Sequence, residues 1–147
     1  MIGIAPKVQG YAGVVGNLLP VSGQYTPRQR ECIKHLCDAF QLTKAQLVPG
    51  RIGRDIYAPA RAYYEQHGLT RYLVCPFAHT IGLQEAESPF FGPNSEDELR
   101  PGMTVCIDVS FFGHPEFNGG RIETGYLITD DGPEPLSKKM DSLFTQQ

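Results

Sequence analysis

Three side chains in the second half of the sequence have the chemistry to bind a metal ion or to carry a proton: His79, Asp108 and Glu123. Each lies in an apolar, strand-like run, such as VCIDV around Asp108. Burying a charged carboxylate costs several kcal/mol unless it is paired or bound to a cation. The pattern therefore predicts groups aimed from a sheet into a shared site, although surface-facing positions on alternating strands are an equally simple interpretation.

Two helices are expected on the N-terminal side of these residues. Thr26 is a good helix N-cap, and it is followed by proline and by apolar residues at helical spacing, which predicts a helix over Pro27–Gln46. A second helix is predicted over Arg54–Gln66, with Gly68 as its left-handed C-cap. Pro59 inside this stretch is expected either to kink the helix or to mark its true start.

Strands should carry the three candidate residues. The predicted strands comprise an N-terminal hairpin and four later runs: residues 2–12 with Tyr11–Leu19, then Arg71–Cys75, Ala78–Leu83, Met103–Phe112 and Arg121–Thr129. The last two runs are expected to pair as antiparallel core strands. The sequence also predicts a turn at Pro20–Gln24, an exposed loop at Ser88–Arg100 and a polar tail with helical character at Lys138–Gln147.

Length and composition limit the classes of protein that fit. A chain of 147 residues is long enough for one domain with a real core, and a net charge of -3 gives no reason to expect nucleic acid or an anionic membrane as partner. The sequence contains no apolar run that could span a bilayer, and its first residues lack the pattern of a signal peptide. The four cysteines suit neither a zinc knuckle nor a disulfide framework, so core thiols and a cytoplasmic location are expected.

Four motifs occur together in the order and spacing of one known family. They are HTIGL at 79–83, LRPGM at 99–103, GGRIE at 119–123, and LIT at 127–129 followed by DGPE at 131–134. This set resembles the creatinase / Xaa-Pro aminopeptidase / methionine aminopeptidase family, and GYAGVVGNLLPVSGQYTPRQRE extends the resemblance through the N-terminal half. The resemblance implies an α+β pita-bread fold, in which a curved, mainly antiparallel sheet carries two helices on its outer face.

The resemblance covers nearly the whole chain but only part of the family domain. The family's upstream helices and strands have no counterpart here, so a shortened domain is expected over residues 1–137, with a polar C-terminal tail at 138–147. A sheet edge left uncovered predicts a homo-oligomer, with Ile2–Val15 as the contact, or a protein that covers that edge. Neither nucleic acid nor a membrane is expected as partner.

Family metallopeptidases hold a pair of divalent metals (Mn, Co or Zn) with two Asp, one His and two Glu ligands. The resemblance implies that Gly3 and Val14, which have no ligand atoms, replace the two Asp. It assigns the His to His79 and the two Glu to Asp108 and Glu123. Two adjacent cations repel each other unless anionic ligands neutralise them, so no metal pair is expected. A single ion on the three remaining residues is the alternative, and a hydrogen bond between His79 and a carboxylate is favoured.

Other family positions concern the substrate. A further His, which steadies the substrate or the tetrahedral intermediate, is replaced by Ala86, while its neighbour Glu87 is retained. Glu87 and Arg121 are the candidate substrate-binding residues, and Arg121 is expected to pair with a carboxylate in or near the cleft. The remaining histidines lie on predicted helices or in a Gly/Pro loop and are not expected to be catalytic: His35, His67 and His114.

The sequence is compatible with three functions. The first is an Xaa-Pro aminopeptidase-like domain with an eroded dinuclear site, which is no peptidase on its own and whose residual cleft binds a peptide, a small molecule or a partner. The second is an active hydrolase or lyase that uses His79, Asp108 and Glu123 with one metal or none. Creatinase-like members work without metal, but their catalytic His lies upstream of the segment matched here. The third is a truncated product without a role of its own.

Overall fold

The computed structural model describes residues 1–145. The elements in chain order are β1 (Ile2–Ile4), β2 (Lys7–Val8), β3 (Tyr11–Ala12), β4 (Val15–Asn17), α1 (Pro27–Lys44), α2 (Gly53–Gln66), a 3-10 helix (Thr70–Tyr72), β5 (Ala78–Thr80), β6 (Glu87–Phe90), β7 (Thr104–His114), β8 (Asn118–Thr129), β9 (Gly132–Pro135) and α3 (Lys138–Thr145). The main sheet runs in the order β1-β4-β8-β7-β5-β6, β9 pairs with the end of β8, and every pair in it is antiparallel.

Side-chain alternation along β7 divides this sheet into two faces. Every second residue from Val105 to Phe111 belongs to the main apolar core, which the helices cover. The residues between them, Cys106, Asp108 and Ser110, point to the opposite face, because successive side chains of a strand alternate. We call this opposite face the cleft face. The predicted sheet with two helices on one side is confirmed.

Helix α1 begins where its cap predicts. The Thr26 side chain accepts a hydrogen bond from the Gln29 backbone N–H, and the Gln29 side-chain oxygen accepts one from the Thr26 backbone N–H. The helix ends at Lys44, two residues before the predicted end. Its Phe40 ring packs against Tyr126 of β8, so α1 is fixed to the centre of the sheet.

Helix α2 runs through its internal proline. It starts at Gly53, six residues before Pro59, so the alternative in which Pro59 marks the start is wrong. Gly68 has the expected left-handed backbone, with φ of 68°. Within residues 1–145, every helix is too short or too polar to cross a bilayer.

Two predictions on either side of β5 are wrong. Arg71–Cys75 is not a strand, because the chain forms the 3-10 turn at Thr70–Tyr72 and then runs into Pro76, which has no N–H for a ladder. The predicted loop Ser88–Arg100 contains part of β6, which pairs with β5. Strand β6 lies at the sheet edge, where a proline such as Pro89 is tolerated.

The C-terminal segment is packed onto the domain instead of extending from it as a polar tail. Phe144 of α3 is buried against Phe40, and its carbonyl accepts a hydrogen bond from the Gln41 side chain. Asp141 is ion-paired with Lys44 and accepts a hydrogen bond from the Tyr126 hydroxyl. The helical character of this segment is confirmed, and residues 146 and 147 of the predicted tail lie outside the described residues.

The N-terminal segment forms the expected hairpin, with β1 paired to β4 and the short pair β2–β3 between them. The hairpin joins the sheet because Gly16 of β4 pairs with Glu123 of β8. A side chain at Gly16 would meet the Glu123 Cβ at 3.1 Å, so the missing side chain allows the two strands to approach at the cleft face.

Candidate functional site

The strand registers place the three candidate residues on one face. His79 of β5 lies opposite Cys106 of β7, and Asp108 of β7 lies opposite Glu123 of β8. Directly opposed residues in antiparallel strands point to the same face, and Cys106 and Asp108 are two positions apart. The predicted shared face is therefore confirmed, and it includes Cys106, which the sequence pattern predicts only as a core thiol.

The His79 ring faces both carboxylates without a hydrogen bond to either. Its Nε2 lies 3.8 Å from Asp108 Oδ2 and 3.9 Å from Glu123 Oε1, and all three side chains are buried. These separations exceed hydrogen-bond length. Nδ1 lies 3.0 Å from the Thr80 carbonyl, which can only accept, so Nδ1 carries a proton. The prediction of a hydrogen bond from His79 to a carboxylate is thus wrong. The one N–H of the neutral ring, at Nδ1, already donates to the Thr80 carbonyl.

Arg121 pairs with a carboxylate, as predicted. Its Nε lies 2.8 Å from Asp108 Oδ1. The N–H does not point at the oxygen, so the contact is a close ion pair and neither atom makes a well-directed hydrogen bond. Cys75 completes this corner of the site, with its Sγ 3.4 Å from Asp108 Oδ2 and 3.4 Å from Ser110 Oγ. Asp108 is therefore already compensated by a positive charge.

Burial changes the proton affinity of both carboxylates. Burial raises the pKa of Glu123 to about 7, the nearby Asp108 charge adds to this, and Arg121 opposes it. Burial also raises the pKa of Asp108, although Arg121 pulls it in the other direction. Glu123 is the less compensated of the two, since Arg121 lies against Asp108.

The two positions that the family resemblance assigns to aspartate ligands lie on the same face. Val14 is two residues before Gly16, which opposes Glu123, and Gly3 opposes Gly16 on β1. Val14 is buried in an apolar cluster with Ile81 and Cys106. The space around a side chain built at Gly3 is open, with nothing within 4 Å. Neither position offers a ligand atom.

The two candidate substrate-binding residues, Arg121 and Glu87, lie in different parts of the structure. Arg121 is part of the cluster, whereas the Glu87 carboxylate accepts a hydrogen bond from the Gln84 backbone N–H and so braces the 82–87 turn. A substrate role for either residue stays a prediction. The other three histidines join an aromatic group away from the cleft face, in which His35 contacts Tyr63 and His114 stacks on Phe117.

Comparison with known proteins decides the family. The model of metallopeptidase family M24 matches residues 1–130. This chain belongs to that family. An Xaa-Pro dipeptidase of Pyrococcus furiosus is 28% identical to this M24 domain over 124 residues, and Xaa-Pro aminopeptidase 2 of Streptomyces coelicolor is 27% identical over 156 residues. The crystal structure of the prolidase from Pyrococcus horikoshii superimposes with a TM-score of 0.83 at 26% identity.

The predicted family and the partial pita-bread fold are confirmed by these similarities. The M24 domain described here is shorter than the proteins that it resembles. The match to the Pyrococcus furiosus relative covers 84% of this chain but 35% of that protein, and the prolidase superposition covers 92% of this chain and 39% of that one. The family is a metallopeptidase family. On the cleft face of this chain, four residues carry atoms of the kind that bind metal ions: His79, Cys106, Asp108 and Glu123.

Proposed function

We propose that this M24 domain has an eroded metal site, does not hydrolyse Xaa-Pro peptides on its own, and uses its residual cleft face to bind a peptide, a small molecule or a protein partner. The observation that carries the proposal is that neither of the two positions assigned to aspartate ligands has a side chain that can bind a metal. Val14 puts methyl groups among Ile81 and Cys106, and Gly3 has no side chain. Both lie on the face that carries the retained ligands.

The charge balance supports the loss of a metal pair. Two divalent ions bring a charge of about +4, and family sites neutralise it with several carboxylates. Asp108 and Glu123 supply at most two negative charges here, and Arg121 already takes up the charge of Asp108. A second ion would therefore meet uncompensated repulsion in a buried setting, where the screening of charge is weak. Ala86 also lacks a proton to donate to a tetrahedral intermediate.

A hydrolase or lyase that works with one metal or none is the second candidate function. Glu123 is buried beside His79, and its pKa of about 7 suits an acid or base that works near neutral pH. In this alternative Glu123 moves the proton, His79 steadies the neighbouring charge, and Arg121 holds Asp108 in place. The Arg121 side chain, which is 32% exposed, is the group best placed to reach a ligand.

Turnover measurements separate the two candidates. The 147-residue chain is incubated with excess Mn or Co and then with a panel of Xaa-Pro dipeptides, longer Xaa-Pro peptides and guanidino acids. The proposal predicts no turnover above that of a Glu123→Gln control. Turnover of any of these compounds that Glu123→Gln abolishes would support the second function and overturn the first.

A partner for the N-terminal strands forms part of the proposal. Strand β1 is a sheet edge, and Ile2 and Ile4 on it are 51% and 55% exposed. Exposed apolar edge strands tend to pair with another strand, so we propose self-association through β1. A sedimentation measurement that finds only monomer at every concentration would contradict this. A cytoplasmic location agrees with four cysteines among which there is no disulfide.

A further inference from the structure

Cys106 adds a sulfur atom to the nitrogen and oxygen atoms on the cleft face that could bind a metal ion. Its sulfur is fully buried and lies 3.5 Å from Glu123 Oε1. One ligand atom each of His79, Cys106 and Glu123 lies within 4.8 Å of the others. The three side chains come from adjacent strands β5, β7 and β8, so their backbones are held in place by the sheet ladder.

The distances leave room for one ion. Zinc bonds of about 2.0–2.3 Å place tetrahedral ligand atoms about 3.4–3.6 Å apart. His79 Nε2 and Glu123 Oε1 are 3.9 Å apart, and Cys106 Sγ and Glu123 Oε1 are 3.5 Å apart. The Nδ1–H of His79 is fixed on the Thr80 carbonyl, so in the neutral ring the Nε2 lone pair faces the carboxylates. A carbonyl that holds the other nitrogen is the usual support of a metal-binding histidine.

The charges favour Cys106 over Asp108 as the third ligand. Arg121 already neutralises Asp108 at 2.8 Å. A Cys106 thiolate and the Glu123 carboxylate together carry two negative charges, which balance one divalent cation. Imidazole, thiolate and carboxylate are all ligands that zinc takes, whereas Mn and Mg prefer oxygen. The apolar contacts of Cys106 with Val14 and Ile81 keep water from one side of the sulfur.

We propose that His79 Nε2, Cys106 Sγ and a Glu123 carboxylate oxygen bind a single zinc ion. Binding releases the Cys106 thiol proton to solvent. Asp108 and Arg121 lie beside the ion as an outer pair and are not ligands. The inference rests on the proposed loss of the metal pair and adds that the remaining site has gained a sulfur ligand and holds one ion in place of two.

Cobalt substitution tests the ligand assignment directly. The full chain is stripped with a chelator and titrated with Co²⁺, then with Zn²⁺. The expected result is one Co²⁺ per chain with a thiolate-to-cobalt charge-transfer absorption in the near ultraviolet, which Zn²⁺ removes by displacement. Cys106→Ser should abolish that absorption and weaken zinc binding at least about 100-fold, more than the loss of an outer-shell group.

Cys75→Ser is the matched control, because its sulfur lies on the same side of the sheet but near Asp108. This variant should keep the absorption. Cys106→Ala, which adds no polar group to the apolar cluster, guards against a folding defect of the serine variant. Zinc should also raise the melting temperature of the wild type by roughly 5–10 °C at a hundredfold excess over its dissociation constant, and should not do so for either Cys106 variant.

The possible outcomes separate this inference from the proposed function. One bound ion without charge-transfer absorption, or absorption that survives in the Cys106 variants, would overturn Cys106 as a ligand and leave the loss of the metal pair standing. Absence of stoichiometric Co²⁺ and Zn²⁺ binding would likewise overturn the zinc site alone. Two tightly bound ions per chain would overturn the proposed function as well.

Discussion

The two faces of strand β7 contrast sharply. The helix-side residues, from Val105 to Phe111, are fully buried among aromatic and aliphatic side chains of α1 and α2. The cleft-side residues Cys106, Asp108 and Ser110 are buried to nearly the same extent but carry a thiol, a carboxylate and a hydroxyl. Burial alone therefore does not distinguish the core from the site.

The two faces differ in the hydrogen bonds that their buried polar groups make. On the helix side, the Tyr64 ring packs against Phe77 and Phe111 and its hydroxyl reaches the Ser110 carbonyl at 3.2 Å. On the cleft side, Asp108 Oδ1 has a nearby charge but no well-directed hydrogen bond. Most buried polar atoms in proteins have a hydrogen-bond partner, and a water molecule or an ion can take that place. Substitutions on the helix side are therefore expected to change mainly the free energy of unfolding. On the cleft side, we expect stability to depend on pH and on bound cations.

The largest expected effect is on the helix side. Phe111→Ala should lower the free energy of unfolding by about 3–5 kcal/mol, because it opens a cavity beside Tyr64 and Phe117. Its neighbour Ser110 is equally buried but faces the cleft, so Ser110→Ala should cost about 1 kcal/mol through its lost contact with Cys75. Urea denaturation of both variants measures these changes. If the two substitutions lowered the free energy of unfolding by similar amounts, the proposed difference between the two faces would be wrong.

The next effect concerns the pH dependence of stability on the cleft side. Because burial raises the pKa of Glu123 from its ordinary value of 4.5 to about 7, the folded state binds a proton that the unfolded state has already released in this interval. The free energy of unfolding of metal-free protein should therefore fall as the pH rises from 4.5 to 7, by up to about 3 kcal/mol.

Glu123→Gln is the matched control for this pH effect. The variant has nearly the same shape but no titrating group, so its stability should change less over the same interval. Chelator-treated samples are required, since a bound cation would favour the charged carboxylate. If wild type and variant show the same pH dependence, Glu123 is not the group responsible.

A smaller effect is expected from the ion pair beside the cluster. Arg121→Gln leaves the Asp108 carboxylate buried without its cation, which should cost about 2 kcal/mol; the value is below that for a fully buried pair because Arg121 is 32% exposed. Asp108→Asn in the same chain should restore at least half of the loss. A double-mutant cycle by urea denaturation measures the coupling, and additive effects of the two substitutions would show that the pair is not energetically linked.

Much of the fold could be predicted because local signals and sheet pairing agree. The cap at Thr26 fixes the start of α1, and the apolar runs around Asp108 and Glu123 form the two longest strands. The errors have local causes. Pro89 looks like a strand breaker but lies in edge strand β6, and Arg71–Cys75 has residues suited to a strand but turns as a 3-10 helix before Pro76.

Three residues of the site could be predicted from the sequence, but Cys106 and the hydrogen bonding of His79 could not. Motif order identifies His79, Asp108 and Glu123, and the register confirms that they share a face. Cys106 was missed because it was treated as a core thiol, although its position two residues before Asp108 puts it on the same face. The hydrogen bond of His79 to the Thr80 carbonyl depends on ring orientation, which no sequence pattern specifies.

Counting the metal ions that each chain binds decides whether the cleft face still holds a metal pair. The wild-type chain is saturated with Mn, Co or Zn, dialysed and analysed for metal beside a Gly3→Asp/Val14→Asp variant that restores both carboxylates. We expect at most one tightly held ion per wild-type chain, and a higher count in the variant. Two tightly held ions in the wild type would show that the cleft still builds a metal pair without ligands at Gly3 and Val14, and would overturn the proposed loss of that pair.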